Sequence, residues 1–220
     1  MIRSKPRRAF TLVELVVVLG VMAMLAAMAG LMAGPRDSGA GVRIAQPLVT
    51  AWLDRARAES ESSGRRVSLV VNVDPESADF LRTCWLAWER DAETEHWDSL
   101  DAGQSLPDGV RLVPGGGVSG CCWADGAEIA TVDGTALLML PAGAFDESDA
   151  TGGSHFARVA FAYADGRSDS PVDSAGVVIG GAVASSQGLQ FRHPKATVRL
   201  WVSRYGVTVP VAGMLAPNPT

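Results

Sequence analysis

The sequence predicts an α+β fold: a long apolar N-terminal helix followed by an antiparallel β-sheet domain. Three observations carry this. Of the 24 residues at positions 10–33, 20 are apolar. Residues 44–63 repeat apolar side chains at helical spacing. From Val67 onward the period changes to short alternating runs, punctuated by Asp-Gly pairs. A length of 220 residues suits one globular domain with an added segment. The formal charge of −5 conceals an uneven distribution. Arg3, Lys5, Arg7 and Arg8 occupy the first nine positions without an acid, so the rest of the chain holds 15 basic against 24 acidic residues, a net of −9. An acidic body argues against a partner that is nucleic acid, because phosphate tracking needs a basic surface.

The first element is the apolar segment at 10–33. As a helix it would be about 36 Å long at 1.5 Å per residue, enough to cross a bilayer core of roughly 30 Å. Basic residues before it and acidic chain after it orient it with the N-terminus inside. An ordinary secretory signal peptide would also begin this way, with Ala27, Met28 and Ala29 as a small-x-small cleavage site before Gly30. Neither an anchor nor such a signal explains Glu14. A carboxylate inside an apolar run costs roughly 2.5–3.5 kcal/mol on insertion scales and usually has a partner. No Lys, Arg or His follows before Arg36, so the counter-charge has to come from another chain, and a free α-amine would serve.

The run Arg8, Ala9, Phe10, Thr11, Leu12, Val13, Glu14, Leu15, followed by an unbroken apolar stretch, resembles the class III signal of type IV prepilins and type II secretion pseudopilins. The resemblance implies cleavage between Ala9 and Phe10 by a prepilin peptidase, N-methylation of Phe10, and a filament in which Glu14 sets the register by meeting a neighbour's N-terminus. The family strongly prefers Gly before the cut, where this chain has Ala9. Implied partners are other pilins or pseudopilins, the peptidase, an inner-membrane assembly platform and secreted cargo. The implied location is the bacterial inner membrane, single-pass, with the C-terminal domain in the periplasm. The divisions expected are a leader at 1–9, a transmembrane and filament-core helix at 10–33, a breaker segment and amphipathic helix at 34–63, and a β domain at 64–220. Ala26, Gly30 and Gly34 recur every fourth position, a spacing that lets apolar helices approach closely.

The second element follows a breaker cluster at 34–41, where a loosened or kinked segment is expected. An amphipathic helix fits 44–63. Ala45, Leu48, Val49, Trp52, Leu53 and Ala56 form its apolar face, with Asp54, Arg55, Arg57, Glu59 and Glu61 toward water. Pro47 is tolerable only near its first turn, and Gly64 is a natural stop. Strands are then expected at 67–73, 80–89, 110–113, 136–140, 158–163, 177–179, 188–192, 198–203 and 207–211, with hairpin turns at the Asp-Gly pairs 108–109, 125–126, 133–134 and 165–166.

Several of these stretches are similar to the H-type minor pseudopilins (GspH/FimT-like). They are the helix end at 56–59 before the strand at 66–69, the strand with Trp85 and Trp88, the run 159–161 leading to Asp165, Gly166 and Arg167, and the closing hairpin with Trp201 and Tyr205. Residues 90–157 depart from that pattern and read as an expanded loop region.

The remaining motifs read as structural. Residues 115–120 satisfy G-x-G-x-x-G, but Pro114 precedes the run and Cys121, Cys122 and Trp123 follow it with no helix signal, so the context of a dinucleotide site is missing. Cys84, Cys121 and Cys122 would face an oxidising compartment, where Cys84 could bridge to one of the adjacent pair; buried free thiols are the alternative. The acidic stretches 146–149 and 165–169 could offer oxygens to Ca²⁺, without EF-hand spacing. No catalytic motif stands out, so no enzyme and no resident cofactor are expected. The rival function is an extracytoplasmic β-domain binding protein, anchored or released at Gly30 by ordinary signal cleavage.

Overall fold

The computed structural model describes residues 18–19, 21–22, 38–93, 95–115, 118–124, 126, 129, 134–145, 155–169, 176–186, 188–192 and 196–212. The chain divides into two units, Met1–Arg36 and Asp37–Thr220. In the first, Val18, Leu19, Val21 and Met22 are helical and expose their apolar side chains. The rest of the expected 10–33 helix, with Ala9, Phe10, Glu14, Ala26, Gly30 and Gly34, lies outside the described residues. Among the described residues no helix is long and apolar enough to cross a membrane.

In the second unit the helix α1 runs Ser38–Ser63, starting earlier than the breaker cluster suggests. Gly39 and Gly41 are both helical, and at Gly41 tight packing rewards the missing side chain: a Cβ there would stand 2.8 Å from Cγ2 of Val110. Pro47 consequently sits well inside the helix, not in its first turn. Its missing N–H leaves the Arg43 carbonyl without a helical donor, and both residues face solvent, where water can satisfy that carbonyl. The buried face is Val42, Ala45, Val49, Trp52, Leu53, Ala56 and Ser60. Burying each large member is worth about 1.5–3 kcal/mol. Gly64 ends the helix at φ 66°, donating its N–H to the Ser60 carbonyl at 3.0 Å.

The strands are β1 (Val67–Asn72), β2 (Thr83–Asp91), β3 (His96–Ser99), β4 (Gln104–Ser105), β5 (Val110–Leu112), β6 (Cys121–Trp123), β7 (Leu137–Met139), β8 (Phe156–Val159), β9 (Tyr163–Ala164), β10 (Arg167–Ser168), β11 (Gly176–Ser185), β12 (Gly188–Phe191), β13 (Val198–Val202) and β14 (Thr208–Ala212). One sheet has the order β10-β9-β1-β2-β3, with β8 also on β1, β7 on β8 and β4 on β2. The other has the order β14-β13-β11-β12-β6, with β5 on β11. Pairing between strands is antiparallel except for β6 beside β12, which is parallel. Helix α1 packs against β1 and β9 of the first sheet and β5, β11, β13 and β14 of the second, so the main core lies beneath it.

Strand β1 is buried on both faces, from Val67 through Val71. The cause is a second, smaller core on the far side of the first sheet. Val70, Ala87, Trp97, Leu140, Ala144, Phe145 and Ala162 form it, with Trp85 and Phe156 packed alongside. The Trp85 ring meets Phe145 and Phe156 edge-on at 5.8 and 5.5 Å between centroids. Part of the expanded region 90–157 is therefore not free loop. Its segments β3 and β7 are strands of that sheet, and Trp97, Leu140, Ala144 and Phe145 pack on its far face. The strand expected at 158–163 is broken, because Ala162 donates its N–H to the Asp169 carboxylate and not to a ladder.

Candidate functional site

The stretches that carry the family likeness converge at the C-terminal end of α1. Ser60, fully buried, accepts the Gly166 N–H on its hydroxyl at 3.4 Å. Arg57 and Glu61 pair one turn apart at 3.0 Å. The β9–β10 turn at Asp165 and Gly166 and the β13–β14 turn at Arg204, Tyr205 and Gly206 close over this helix end. Ser168 donates its N–H to the Arg204 carbonyl at 3.2 Å. Gly206 has φ 76°, and a Cβ there would stand 2.5 Å from the Gly166 carbonyl oxygen and 2.9 Å from Cδ of Arg57. A side chain cannot enter without parting the two turns.

Just past the helix, Arg66 holds three segments together. Its guanidinium donates to both Glu89 oxygens at 2.9 and 3.0 Å and to Asp169. Partial burial pulls its pKa down, yet the two carboxylates outweigh this and hold it above the ordinary value. Asp169 is thereby committed to Arg66 and to the Ala162 N–H, which leaves the 165–169 stretch poorly suited to a calcium ion. The other acidic stretch, 146–149, lies outside the described residues. Among the described residues no group of three or more His, Cys, Asp or Glu side chains could hold a metal.

Beside the helix end, Arg65 stacks on Trp88 at 3.6 Å, and a hollow of roughly 90 Å³ is lined by Glu59, Ser63, Arg65, Trp88 and Leu100. Ligand sites for organic molecules usually need about 300 Å³ or more. On β3, the Asp98 carboxylate accepts from Arg90 Nε at 2.7 Å and lies 3.4 Å from His96 Nε2.

Cys84, Cys121 and Cys122 are free thiols in this structure, the alternative to a bridge from Cys84 to one of the adjacent pair. Cys84 is buried in β2 of the first sheet, whereas Cys121 and Cys122 are half-buried in β6 of the second. Burial, reinforced by Asp101, pushes the Cys84 thiol up to about 12. Of the G-x-G-x-x-G stretch, residues 116–117 lie outside the described residues; Gly115 donates its N–H to the Thr135 carbonyl at 2.7 Å.

The described domain thus offers interfaces and internal staples. The Arg66 cluster and the exposed face of β13 and β14 escaped sequence reading, although the recurrence of Val207, Val209 and Val211 on one side of a strand, with Thr208 and Pro210 on the other, was a usable signal. What decides the class is the N-terminus, where the family described as "Prokaryotic N-terminal methylation motif" matches residues 4–30. The chain has the N-terminus of a type IV pilin-like protein. Two solved structures are similar to this chain, both of the minor pseudopilin EpsH from the type 2 secretion system of Vibrio cholerae. One is 13% identical with a TM-score of 0.42, covering 80% of this chain and 99% of that one. The other is 14% identical with a TM-score of 0.41, covering 80% and 97%. No curated protein matches the chain in sequence.

Proposed function

We propose that this pilin-like chain is a minor pseudopilin, a structural subunit that prepilin peptidase processes and an inner-membrane platform assembles into a periplasmic filament for protein secretion. The observation that carries the reading is the methylation motif over residues 4–30, which contains Ala9, Phe10 and Glu14. The leader holds the precursor with its N-terminus in the cytoplasm. Cleavage then frees the amine of Phe10, and the apolar helix moves from lipid into a bundle of sibling helices. Glu14 is costly in lipid, and its cost falls only where a neighbour's amine supplies the opposite charge. Correct axial register is favoured over arbitrary association in this way. The role asks for neither a cofactor nor catalysis.

Mass spectrometry of the mature protein tests the reading. N-methylated Phe10 is the expected terminus, whereas a chain beginning at Gly30 would mean an ordinary exported β-domain binding protein. A Glu14→Ala variant is expected to insert in the membrane normally but to enter filaments several-fold less well, as read by shearing and immunoblotting. Unchanged incorporation would remove the register role.

A further inference from the structure

The β13–β14 hairpin buries Leu200 and Val202 on one face. Its other face carries Trp201, opposite Val209, with Val211 opposite Arg199 and Val207 nearer the turn. These four apolar residues are 37–49% exposed. Single exposed apolar residues are ordinary, but a contiguous set on one hairpin face marks a place where something binds. Tyr205, 58% exposed, extends the set at the turn.

Strand addition is not how this face is used. Ser203 donates its N–H to the Val207 carbonyl at 2.9 Å. Alternation along the ladder then makes Trp201 and Val209 a hydrogen-bonded pair, and Leu200 and Pro210 a non-bonded one. An N–H at position 210 would point outward from the sheet, and proline has none. With β14 at the sheet's end, its middle outward donor is missing, so binding goes through side chains.

Charge identifies the partner's chemistry. Residues 174–220 contain Arg192, Lys195, Arg199 and Arg204 and no acid, whereas residues 10–173 hold 11 basic against 24 acidic residues. Arg204 and Arg167 are exposed, and among the described residues neither has a carboxylate partner. Arg204 instead donates to the Tyr205 hydroxyl at 2.9 Å, and its guanidinium lies 5.0 Å from that ring's centroid. Trp, Tyr and Arg are the side chains that most often dominate interface energetics. A nucleic acid would need several phosphate-facing cations and would leave the valines idle.

We propose that the outward face of the β13–β14 hairpin docks an acidic surface of a different, neighbouring pilin-like subunit. This rests on the pseudopilin reading and names where the globular domain meets its neighbour.

The test places the photo-crosslinker p-benzoylphenylalanine at Val209, and separately at Val211, in the full chain in cells that assemble it. The expected result is an adduct with another methylation-motif protein, crosslinked through an acidic peptide, and none from the same probe at exposed Leu138 on β7. An Arg204→Glu change should cut the yield about five-fold, while Arg204→Lys keeps most of it. An adduct with a second copy of this chain, with nucleic acid or with lipid overturns the proposal, as does no adduct from either site. The N-terminus is read in the same sample. Unmethylated Phe10 would sink the pseudopilin reading, whereas methylated Phe10 without the adduct would sink the docking face alone.

Discussion

At the residue scale, Gly206 and Gly126 separate two costs that glycine avoids. Both have left-handed φ, at 76° and 82°, but a Cβ on Gly126 meets nothing within 4 Å. Alanine at 126 should therefore cost only backbone strain, about 1 kcal/mol. Alanine at 206 adds the collision with the Gly166 carbonyl and Arg57, and should cost about 2–3 kcal/mol. Thermal melting of the two variants checks the order: Gly206→Ala should melt several degrees below Gly126→Ala. Equal melting points would mean the two turns part freely. The sequence marks Gly206 as a turn residue, but its second role depends on a turn 40 positions away and has no local sign.

At the element scale, α1 separates what pattern reveals from what it hides. Of the apolar face read from spacing, Ala45, Val49, Trp52, Leu53 and Ala56 are buried, with Leu53 and Val49 wholly enclosed; Leu48 is half-buried beside them, and Val42 and Ser60 extend the face at either end. Leu53→Ala should cost about 2–5 kcal/mol through the cavity it leaves. Ile44→Ala, at a residue 63% exposed, should change stability by less than about 0.5 kcal/mol. Urea unfolding of both variants in detergent checks the contrast, and a large loss at Ile44 would place that residue in a contact not seen within the chain. The helix start was missed because two glycines near it look like breakers, whereas Gly41 is there to let Val110 approach. Most strands were legible from period and turn chemistry. Strands β3, β4, β6 and β10 were not: His96–Ser99 holds a single apolar residue, Gln104–Ser105 and Arg167–Ser168 hold none, and Cys121–Trp123 is too short for a period to stand out; their neighbours create them. The Asp-Gly pair at 165–166 closes a hairpin as expected, but the pair at 108–109 leads into β5, whose partner is the distant β11.

At the scale of the whole molecule, two cores on either side of one sheet explain why β1 shows a weaker alternation than its solvent-facing residues alone would give. They also set a response to alkali. Cys84 belongs to the main core and its thiol is raised from 9.0 to about 12 by burial. Because the folded pKa lies above the unfolded one, the fold holds a proton that the open chain releases. The corresponding stability is complete below pH 9 and is lost as pH climbs from 9 toward 12. Stability of the wild type should fall through that window, and Cys84→Ala, though less stable at neutral pH, should fall less steeply. Denaturant titrations at pH 8 and pH 10.5 compare them, with parallel decline in both as the result that would free Cys84 of responsibility. Iodoacetamide at pH 8 should likewise label Cys84 only after unfolding. Pro210 acts at this scale too. A copy drifting against the rim of β14 finds a gap where a donor should be, which disfavours the zipping of crowded molecules into runaway sheets.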